Sequence, residues 1–276
     1  MTSDDIEVVR QLVHARSGVV IDPGKAYPIE TRLAPVARRE GFESLADLVQ
    51  AIRIHRNDRL IWAVVEALTV GETSFFRDGA PFEHFRDEIL PVLAGTRRER
   101  TIRVWSAACS TGQEPYSLAM ILDDERSKLQ GARIELFGSD LSEWALEKAQ
   151  SGVYNQFEVQ RGLPIRLLVR HFDKIDEMWR LSPRIRQMVR WRRINLLADL
   201  RALGQFDVIF CRNALSTFDA ATRQRVLEQL ARALPDDGWL VLGLDETVVG
   251  VTDALRPAPG RRGVYRPNPA HRAAAA

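Results

Sequence analysis

The strongest constraint on the fold of this sequence is an alternation of short apolar segments with helical patterns, which begins at Thr101. The apolar segments are typical of buried strands, and the segments between them carry apolar residues at helical spacing. Strands that alternate with helices form parallel βαβ units, so we predict an α/β fold with a doubly wound sheet. The predicted strands are Ile102–Ala107, Ile134–Gly138, Phe206–Cys211 and Trp239–Gly243, and the predicted helices are Pro115–Asp124, Ser142–Gln150 and Ala220–Leu234.

The first seventy residues, by contrast, predict helices only. Each predicted helix has a capping or starting residue that is followed by apolar residues at helical spacing. Four short helices without strands indicate a small all-helical N-terminal domain. The predicted helix starts are Thr2 or Ser3, a position near Pro28, the Ser44–Asp47 capping box, and Asn57.

A connector and an insertion complete the predicted organisation. The turn-rich segment Gly71–Asp78 is followed by a predicted helix, Pro81–Leu93. Residues 154–190 interrupt the alternation, and we predict there an inserted subdomain with a helix and a small antiparallel sheet. Its end, Met188–Ile194, is predicted to return to the main sheet as a strand. The predicted boundaries are 1–70 for the helical domain, 71–93 for the connector, 94–267 for the α/β domain and 268–276 for a disordered tail.

The charge of the chain is balanced in total but uneven along its length. With 39 basic and 37 acidic side chains, the formal charge of +2 excludes a general polyanion binder. Residues 160–201, however, contain eleven basic residues against four acidic ones. Arginines that alternate with Trp179 and Trp191 are compatible with stacking on single-stranded nucleic acid. The commoner explanation is a strand with one solvated face, and a docking surface for an acidic protein is an equally good functional alternative. We expect no nucleic-acid partner.

Cysteine content and hydropathy indicate the cellular compartment of the protein. Two cysteines, Cys109 and Cys211, cannot form a disulfide framework, which indicates a reducing compartment. The most apolar run, Leu60–Val70, contains Glu66 and is too short to span a bilayer, and no signal peptide is recognisable. We therefore expect a cytoplasmic protein without membrane insertion. The five histidines lack metal-ligand spacing, so we expect no metal site.

The loop AACSTGQEPY (residues 107–116) joins the first predicted strand of the sheet to a helix. Such a loop lies at the carboxyl ends of the strands, where backbone N–H groups face a ligand. It has one glycine instead of the three of a nicotinamide-binding fingerprint, and Glu114 places negative charge where a pyrophosphate needs positive charge. The loop therefore favours a cofactor without phosphates, ideally a cationic one. The alternative is a plain tight turn.

Asp140 ends the second predicted strand of the sheet. A carboxylate at this position can accept hydrogen bonds from both hydroxyls of a ribose. The alternative role is a cap for the helix that begins at Ser142, and one residue can serve both purposes. Together with Glu114, Asp140 indicates adenosine plus a positive group, which describes S-adenosylmethionine.

Three further segments are predicted to reach the same edge of the sheet. Asn195 and Leu196 follow the returning strand, where an amide can read an adenine edge, and Arg212 with Asn213 follows Phe206–Cys211. The connector brings Thr73 and Arg77. A buried arginine is costly unless it is paired, so Arg77, next to two phenylalanines, is predicted to bind an anion. The alternative is an exposed arginine that covers the aromatic rings.

Five segments, in this order and spacing, resemble the chemotaxis receptor protein-glutamate O-methyltransferase (CheR) family. Each segment alone is a weak signal, but five in the family's order are specific, and the resemblance extends from about Ile6 to Arg266. The segments are Glu72–Asp78 (ETSFFRD), Ser110–Ser117 (STGQEPYS), Ser139–Leu141 (SDL), Asn195–Leu197 (NLL) and Phe206–Asn213 (FDVIFCRN).

The resemblance implies a helical N-terminal domain joined to a Rossmann-like S-adenosylmethionine-dependent methyltransferase domain with an inserted β-subdomain. It implies methyl transfer from S-adenosylmethionine, leaving S-adenosylhomocysteine, to glutamate carboxylates on the methylation helices of a chemoreceptor or another acidic signalling protein. We expect the enzyme to be a monomer. By position, the implied cofactor contacts are Thr73, Arg77, Glu114, Asp140, Asn195, Leu196, Arg212 and Asn213, and the implied catalytic positions are Arg77 and Thr217.

Three positions differ from the family's pattern. Thr217 stands where a tyrosine is common, Gly71 where an asparagine is common, and Gly243–Glu246 (GLDE) replaces a Gly-His-Ser-Glu run. The insert lacks the glycine-containing loop with which some members bind a receptor's tether peptide, so we expect direct docking. The helix that carries Arg32, Arg38 and Arg39 resembles the basic face that the family uses against the methylation helices.

Two alternative functions stay open on sequence grounds. The first is a catalytically weak, S-adenosylmethionine-binding docking or regulatory protein in a chemosensory pathway. The second is a nucleic-acid methyltransferase that uses the arginine-rich insert, although the chain has no N/D-P-P-Y-type motif for amino methylation.

Overall fold

The structure is a computed structural model that describes residues 1–22, 24, 26–97, 100–129 and 131–271. A helical N-terminal bundle packs against a domain built on a seven-stranded sheet, which confirms the predicted fold class. Among the described residues, no helix combines the length and the apolar character needed to cross a lipid bilayer.

The N-terminal bundle consists of four helices whose starts are fixed by side-chain caps. The hydroxyls of Thr2 and Ser44 each accept a hydrogen bond from the third residue of their helix, and the Asn57 amide oxygen caps the fourth helix. Apolar residues at helical spacing, such as Val13, Leu33 and Val64, are fully buried between the helices. The helices are α1 (Ser3–Ser17), α2 (Ala26–Arg39), α3 (Leu45–His55) and α4 (Asp58–Thr69).

The connector helix differs from its prediction, because one turn of it is π-helical. The sequence predicts a continuous helix, whereas α5 (Ala80–His84) and α6 (Leu90–Thr96) flank a π-helical turn at Phe85–Ile89. In this turn the backbone N–H of Leu90 donates to the carbonyl oxygen of Phe85. The next residue, Pro91, has no backbone N–H to donate, which removes one bond of a regular helix at this point.

The main sheet has the order β6-β2-β1-β7-β8-β10-β9. Its first five strands are parallel, as predicted, and β10 and β9 are antiparallel additions at one edge. The described strands are β1 (Ile102–Ala107), β2 (Ile134–Asp140), β3 (Val153–Asn155), β4 (Phe172–Ile175), β5 (Met178–Leu181), β6 (Val189–Arg193), β7 (Val208–Cys211), β8 (Trp239–Val241), β9 (Leu255–Pro257) and β10 (Val264–Pro267).

Helices cover both faces of this sheet and bury two apolar cores. One core includes Phe75, Tyr116 and Phe210, and the other centres on Trp105 and Phe206, whose ring centroids lie 5.1 Å apart. The helices after the connector are α7 (Gln113–Asp124), α8 (Glu143–Ser151), α9 (Gln156–Gln160), α10 (Ile165–His171), α11 (Pro183–Arg186) and α12 (Ala220–Arg232).

The inserted subdomain has the predicted combination of helices and a small antiparallel sheet. Strands β3, β5 and β4 pair in that order, and β6 then returns to pair with β2 of the main sheet. Trp191 on β6 packs with its ring edge against Tyr116 and leaves no space for a side chain at Gly138. This tryptophan is therefore part of the packing between strand and helix rather than a platform for stacking a nucleotide base.

The predicted disordered tail needs correction for its first residues. Asn268 donates from its backbone N–H to the carbonyl oxygen of Ala254 and from Nδ2 to that of Asp253, and residues 269–271 form a helical turn. The end of the predicted tail, residues 272–276, lies outside the described residues.

Candidate functional site

A cleft opens at the carboxyl ends of β1, β2 and β7, where the N-terminal bundle meets the main domain. The cleft is open to solvent on one side, and its lining combines apolar surface with a few charged and polar groups, as is typical of small-molecule sites. All residues that the sequence predicts for the site line this one cleft. They are Thr73, Arg77, Glu114, Asp140, Asn195, Leu196, Arg212, Asn213 and Thr217.

The loop between β1 and α7 forms the floor of the cleft in an unusual backbone conformation. Ala108 and Ser110 both adopt the left-handed region, with φ of 52° and 49°. Gly112, with φ of 92°, has no room for a side chain, because a Cβ would lie 2.7 Å from the Cβ of Ala149. The loop thus packs its glycine against α8 and turns its backbone toward the cleft.

Asp140 fixes the floor loop as well as lining the cleft. Its two carboxylate oxygens accept hydrogen bonds from the backbone N–H groups of Ser110, at 2.7 Å, and Ser142, at 2.9 Å. Burial raises the pKa of Asp140, and these hydrogen bonds act in the opposite direction by favouring the charged form. Each oxygen keeps a free lone pair, so the carboxylate can hold the loop and still accept a hydroxyl.

Arg212 ties the connector to the floor of the cleft through buried ion pairs. Its Nη1 donates to Glu114 Oε2 at 3.0 Å, and its Nη2 donates to Asp78 Oδ2 at 2.7 Å and to the carbonyl oxygen of Arg77 at 2.8 Å. Glu114 also accepts a hydrogen bond from the Ser106 hydroxyl at 2.8 Å. The negative charge of Glu114 is therefore balanced by Arg212, so this residue alone does not select a cation.

The structure corrects the predicted burial of Arg77. Its side chain is half-buried and donates from Nη1 to the carbonyl oxygen of Glu72 at 2.8 Å. Arg212 is the buried arginine instead, with its guanidinium carbon 5.4 Å from the centre of the Phe82 ring. Within the described residues Arg77 has no carboxylate partner, so its guanidinium faces the cleft with its charge unpaired.

Asn195 makes contacts that the sequence does not predict. Its Nδ2 donates to the carbonyl oxygen of Arg16 at 2.7 Å, and its Oδ1 accepts from the backbone N–H of Leu197 at 3.0 Å. The amide that the sequence predicts to hydrogen-bond with an adenine edge therefore binds the end of α1 through this one hydrogen. One amide hydrogen and one lone pair stay available. Leu196 beside it is buried and gives this side of the cleft an apolar surface.

The N-terminal bundle supplies one wall of the cleft. The backbone N–H of Val20 donates to the carbonyl oxygen of Thr217 at 2.8 Å, and Val19 forms a β-bridge with Phe218. Thr217 itself is exposed, and its hydroxyl donates to the carbonyl oxygen of Ala214 at 2.6 Å. Val19 and Ser17 line the cleft, although nothing in their local pattern distinguishes them from ordinary bundle residues.

Glu246 is a buried residue beside the cleft, at the end of the run GLDE, and it is not among the predicted site residues. It follows β8, and its carboxylate accepts hydrogen bonds from the backbone N–H groups of Asn213, Ser216 and Gly243. The available sequence signal is that Glu246 ends the run GLDE directly after a predicted strand, but only the fold shows which amides it reaches.

The lining of the cleft offers charged and hydrogen-bonding groups that suit S-adenosylmethionine. The carboxylates of Glu114 and Asp140 and the guanidinium of Arg77 line it, and the carboxylate of Glu72 pairs with Arg161 at 3.0 Å. S-adenosylmethionine carries a sulfonium, an ammonium and a carboxylate, so both signs of its charge have a counterpart in this lining. Among the described residues, the buried Nε of Arg212 has no hydrogen-bond partner.

One group of potential metal ligands lies far from this cleft, at Asp123, Asp124 and His171. Arginines already neutralise its carboxylates: Arg184 pairs with Asp123, and Arg170 pairs with Asp124. Burial lowers the pKa of His171 and so favours its neutral form. The group is thus balanced in charge by the protein itself.

Comparison with known proteins agrees with this geometry. The family model described as CheR methyltransferase, all-alpha domain, matches residues 4–69, and the one described as CheR methyltransferase, SAM binding domain, matches residues 71–264. The chain is 36% identical over 253 residues to the chemotaxis protein methyltransferase Cher2 of Pseudomonas putida, covering 90% of this chain and 92% of that protein. It is 38% identical over 253 residues, with the same coverage, to chemotaxis protein methyltransferase 1 of Pseudomonas aeruginosa. It is 35% identical over 246 residues to chemotaxis protein methyltransferase 1 of Vibrio cholerae, covering 88% and 89% of the two chains. The chain therefore belongs to the CheR methyltransferase family and carries that family's S-adenosylmethionine-binding domain.

Proposed function

We propose that this protein transfers a methyl group from S-adenosylmethionine to glutamate side-chain carboxylates of a chemoreceptor or a similar signalling protein. The observation that carries the proposal is the single cleft at the domain joint, which gathers the residues of five separated segments. Membership of a family whose relatives are named chemotaxis protein methyltransferases supports the receptor as the substrate.

The proposed chemistry needs no general base. A glutamate side chain has an ordinary pKa of about 4.3, so the attacking carboxylate is already ionised at neutral pH. S-adenosylmethionine, when bound, supplies a methyl group on a positively charged sulfur. The protein's task is to align the carboxylate oxygen and to exclude water, and such positioning can contribute about 7–11 kcal/mol.

The residues of the cleft divide this task between them. Asp140 is placed to hold ribose hydroxyls, while Glu114 and Arg212 fix the floor against the connector. Arg77, whose guanidinium has no carboxylate partner among the described residues, is suited to orient a carboxylate. We propose that it orients rather than fully pairs the attacking oxygen, because a tight ion pair would reduce its nucleophilicity.

The proposed docking surface for the receptor is the basic face of α2. Arg32, Arg38 and Arg39 are exposed there, and α2 packs on the same bundle that forms a wall of the cleft. An acidic methylation helix is a complementary partner for this face. We propose that the enzyme acts as a monomer in the cytoplasm and docks its substrate directly.

Three arginines of the insert are already paired within the protein, which argues against the nucleic-acid alternative. Arg170 and Arg184 pair with carboxylates of α7, and Arg190 pairs with Glu135 on the neighbouring strand. Guanidiniums that are held in this way are less available to phosphates.

The test is transfer of labelled methyl groups from S-adenosylmethionine to membranes that contain the cognate receptor. We expect label that mild base releases as methanol, and a strong loss of transfer in the variant Arg77→Ala. Arg256→Ala, which removes an exposed arginine on β9 outside the cleft, is the matched control and is expected to transfer at the wild-type rate.

Other outcomes of this assay identify the alternatives. Base-stable label would rule out carboxyl methylation. Calorimetric binding of S-adenosylmethionine without transfer to any receptor would instead favour a docking or regulatory protein. Salt-dependent binding to RNA or DNA would favour a nucleic-acid methyltransferase.

A further inference from the structure

Two loops meet beside the cleft, and one buried carboxylate joins them. Residues 213–217 follow β7, and Gly243–Glu246 follows β8. Glu246 Oε2 accepts hydrogen bonds from the backbone N–H groups of Asn213, at 2.7 Å, and Gly243, at 2.8 Å, and Oε1 accepts from that of Ser216, at 3.2 Å. The residue is 8% exposed, so these amides provide most of the solvation of its charge.

The surrounding backbone leaves little freedom around this carboxylate. Asn213 adopts the left-handed region, with φ of 59°, which asparagine tolerates better than most residues other than glycine. At Gly243, a Cβ would lie 2.8 Å from both Asn213 Nδ2 and Glu246 Oε2. The Tyr265 hydroxyl donates to the carbonyl oxygen of Glu246 at 3.1 Å and so fixes its backbone.

The segment that Glu246 holds forms a wall of the cleft. Asn213, Ala214 and Thr217 all line it, and Thr217 also receives the hydrogen bond from Val20 of the N-terminal bundle. A shift of this segment would therefore move the wall and the contact between the two domains together. Glu246 itself does not line the cleft, so it acts on the site only through the backbone that it anchors.

We propose that Glu246 is a positioning residue, whose carboxylate holds segment 213–217 in the conformation that methyl transfer requires. The proposal rests on the proposed function, because the step that it serves is the transfer of the methyl group. Misplacement of a wall by about 1 Å can reduce a rate by about a hundredfold without any change in the reacting groups.

The first test is the variant Glu246→Gln, with Asp245→Asn as the matched control. Glutamine keeps the size of the side chain but replaces one acceptor oxygen by an NH₂ group, which cannot accept a backbone N–H. Asp245 precedes Glu246 in the same loop, but its side chain is 97% exposed and pairs with Arg262 at the surface. Both variants remove one negative charge, but only Glu246→Gln removes an acceptor of the backbone hydrogen bonds that hold segment 213–217.

We expect kcat of Glu246→Gln to fall by about tenfold to a hundredfold, with KM for S-adenosylmethionine within about threefold of wild type. Amide hydrogen exchange should become faster at residues 214–217, while the melting temperature and the exchange of β1 and β2 stay close to wild type. Asp245→Asn should match wild type in every measurement. A second variant, Gly243→Ala, keeps the charge but crowds both the carboxylate and Asn213 Nδ2, and it should show the same fall in kcat and the same faster exchange at residues 214–217.

Three outcomes would overturn the proposal. The first is wild-type exchange at 214–217 in both Glu246→Gln and Gly243→Ala. The second is a loss of activity in Glu246→Gln that is no larger than the loss in Asp245→Asn. The third is a loss of activity in Glu246→Gln that equals the fraction of this variant that is unfolded. If the wild-type enzyme transfers no methyl group to receptors, the proposed function fails. The anchor is then judged by amide exchange with S-adenosylmethionine added: faster exchange at 214–217 supports it, and unchanged exchange refutes it.

Discussion

Replacement of Arg212 by methionine tests whether the ion pairs under the cleft stabilise the domain joint. The arginine side chain is 1% exposed and lies between Glu114 and Asp78, whose side chains are 11% and 30% exposed. Methionine preserves the apolar stem that packs near Phe82 but leaves the Glu114 carboxylate with only the Ser106 hydroxyl.

The expected cost follows from the burial of Glu114. Removal of one partner from a buried ion pair costs about 3–5 kcal/mol, because the remaining charge loses its compensation. Glu114 keeps one hydrogen bond and borders an open cleft, so we expect the lower end, about 3 kcal/mol, in the free energy of unfolding. Asp78 contributes little to this cost, since water reaches its carboxylate.

A double-mutant cycle with Glu114→Gln separates the unpaired charge from lost packing. Glu114→Gln alone should cost about 1.5 kcal/mol, because Arg212 keeps Asp78 and the carbonyl oxygen of Arg77. In the double variant no charge is left unpaired at residue 114. Its cost should therefore be about 2.5 kcal/mol, below the sum of the single costs, which gives a coupling of about 2 kcal/mol.

The measurement is urea unfolding of the four proteins, followed by tryptophan fluorescence and circular dichroism. Arg77→Met serves as the control, because this half-buried arginine donates only to a carbonyl oxygen; it should cost less than about 1 kcal/mol. A coupling below about 0.5 kcal/mol would refute the reasoning, since it would mean that Glu114 is solvated equally well without Arg212.

Three further predictions concern the cleft and its surroundings. Thr217→Tyr should raise the rate of methyl transfer by up to about tenfold, because a tyrosine hydroxyl at this position of the cleft lining can supply one hydrogen bond of about 1.4 kcal/mol in the transition state. A rate at or below wild type contradicts this. Hydrogen bonds, first from the backbone N–H of Thr222 and then from a histidine of α1, lower the pKa of Asp219 to about 2 from its ordinary 3.8. The stability that Asp219 contributes is therefore present above about pH 4 and is lost as the pH falls toward 2. Between about pH 4 and 2, the unfolding midpoint of the variant Asp219→Asn should therefore depend less on pH than that of the wild type. Gly112→Ala should lower the free energy of unfolding by about 1–3 kcal/mol, because the added Cβ would overlap Ala149 and the φ of residue 112 is 92°. It should also weaken S-adenosylmethionine binding, measured by calorimetry. Unchanged binding would show that the loop between β1 and α7 tolerates the added methyl group.

The sequence was sufficient to predict which residues meet in the cleft. Parallel strands end at one edge of a sheet, so the residues that follow β1, β2, β6 and β7 must converge there whatever the details of packing. Glu114 could be selected among them because an acidic residue in that loop is unfavourable for a phosphate, and Asp140 because a carboxylate at a strand end can accept ribose hydroxyls. The connector residues Thr73 and Arg77 were selected from their place between the two domains, and the family resemblance then supported them.

The partners of each side chain could not be predicted in the same way. Whether Arg77 or Arg212 becomes buried depends on the path of the connector over α7, which spacing does not encode. The second contact of Asn195 is with a carbonyl oxygen 179 positions away in the sequence, in another domain. Strands β9 and β10 are three and four residues long, too short for alternation to be recognised.

The contacts of Asn195, Thr217 and Glu66 show that the joint near residue 70 is part of the site rather than a passive linker. Asn195 binds the end of α1, and the backbone of Thr217 binds Val20, three residues beyond that helix. Glu66 of α4 accepts a hydrogen bond from the backbone N–H of Glu143 at 3.1 Å, at the start of α8. Each of these contacts joins the bundle to a loop at the carboxyl edge of the sheet. The bundle therefore holds the loops that line the cleft, so docking of the two domains and the shape of the cleft are set by the same hydrogen bonds.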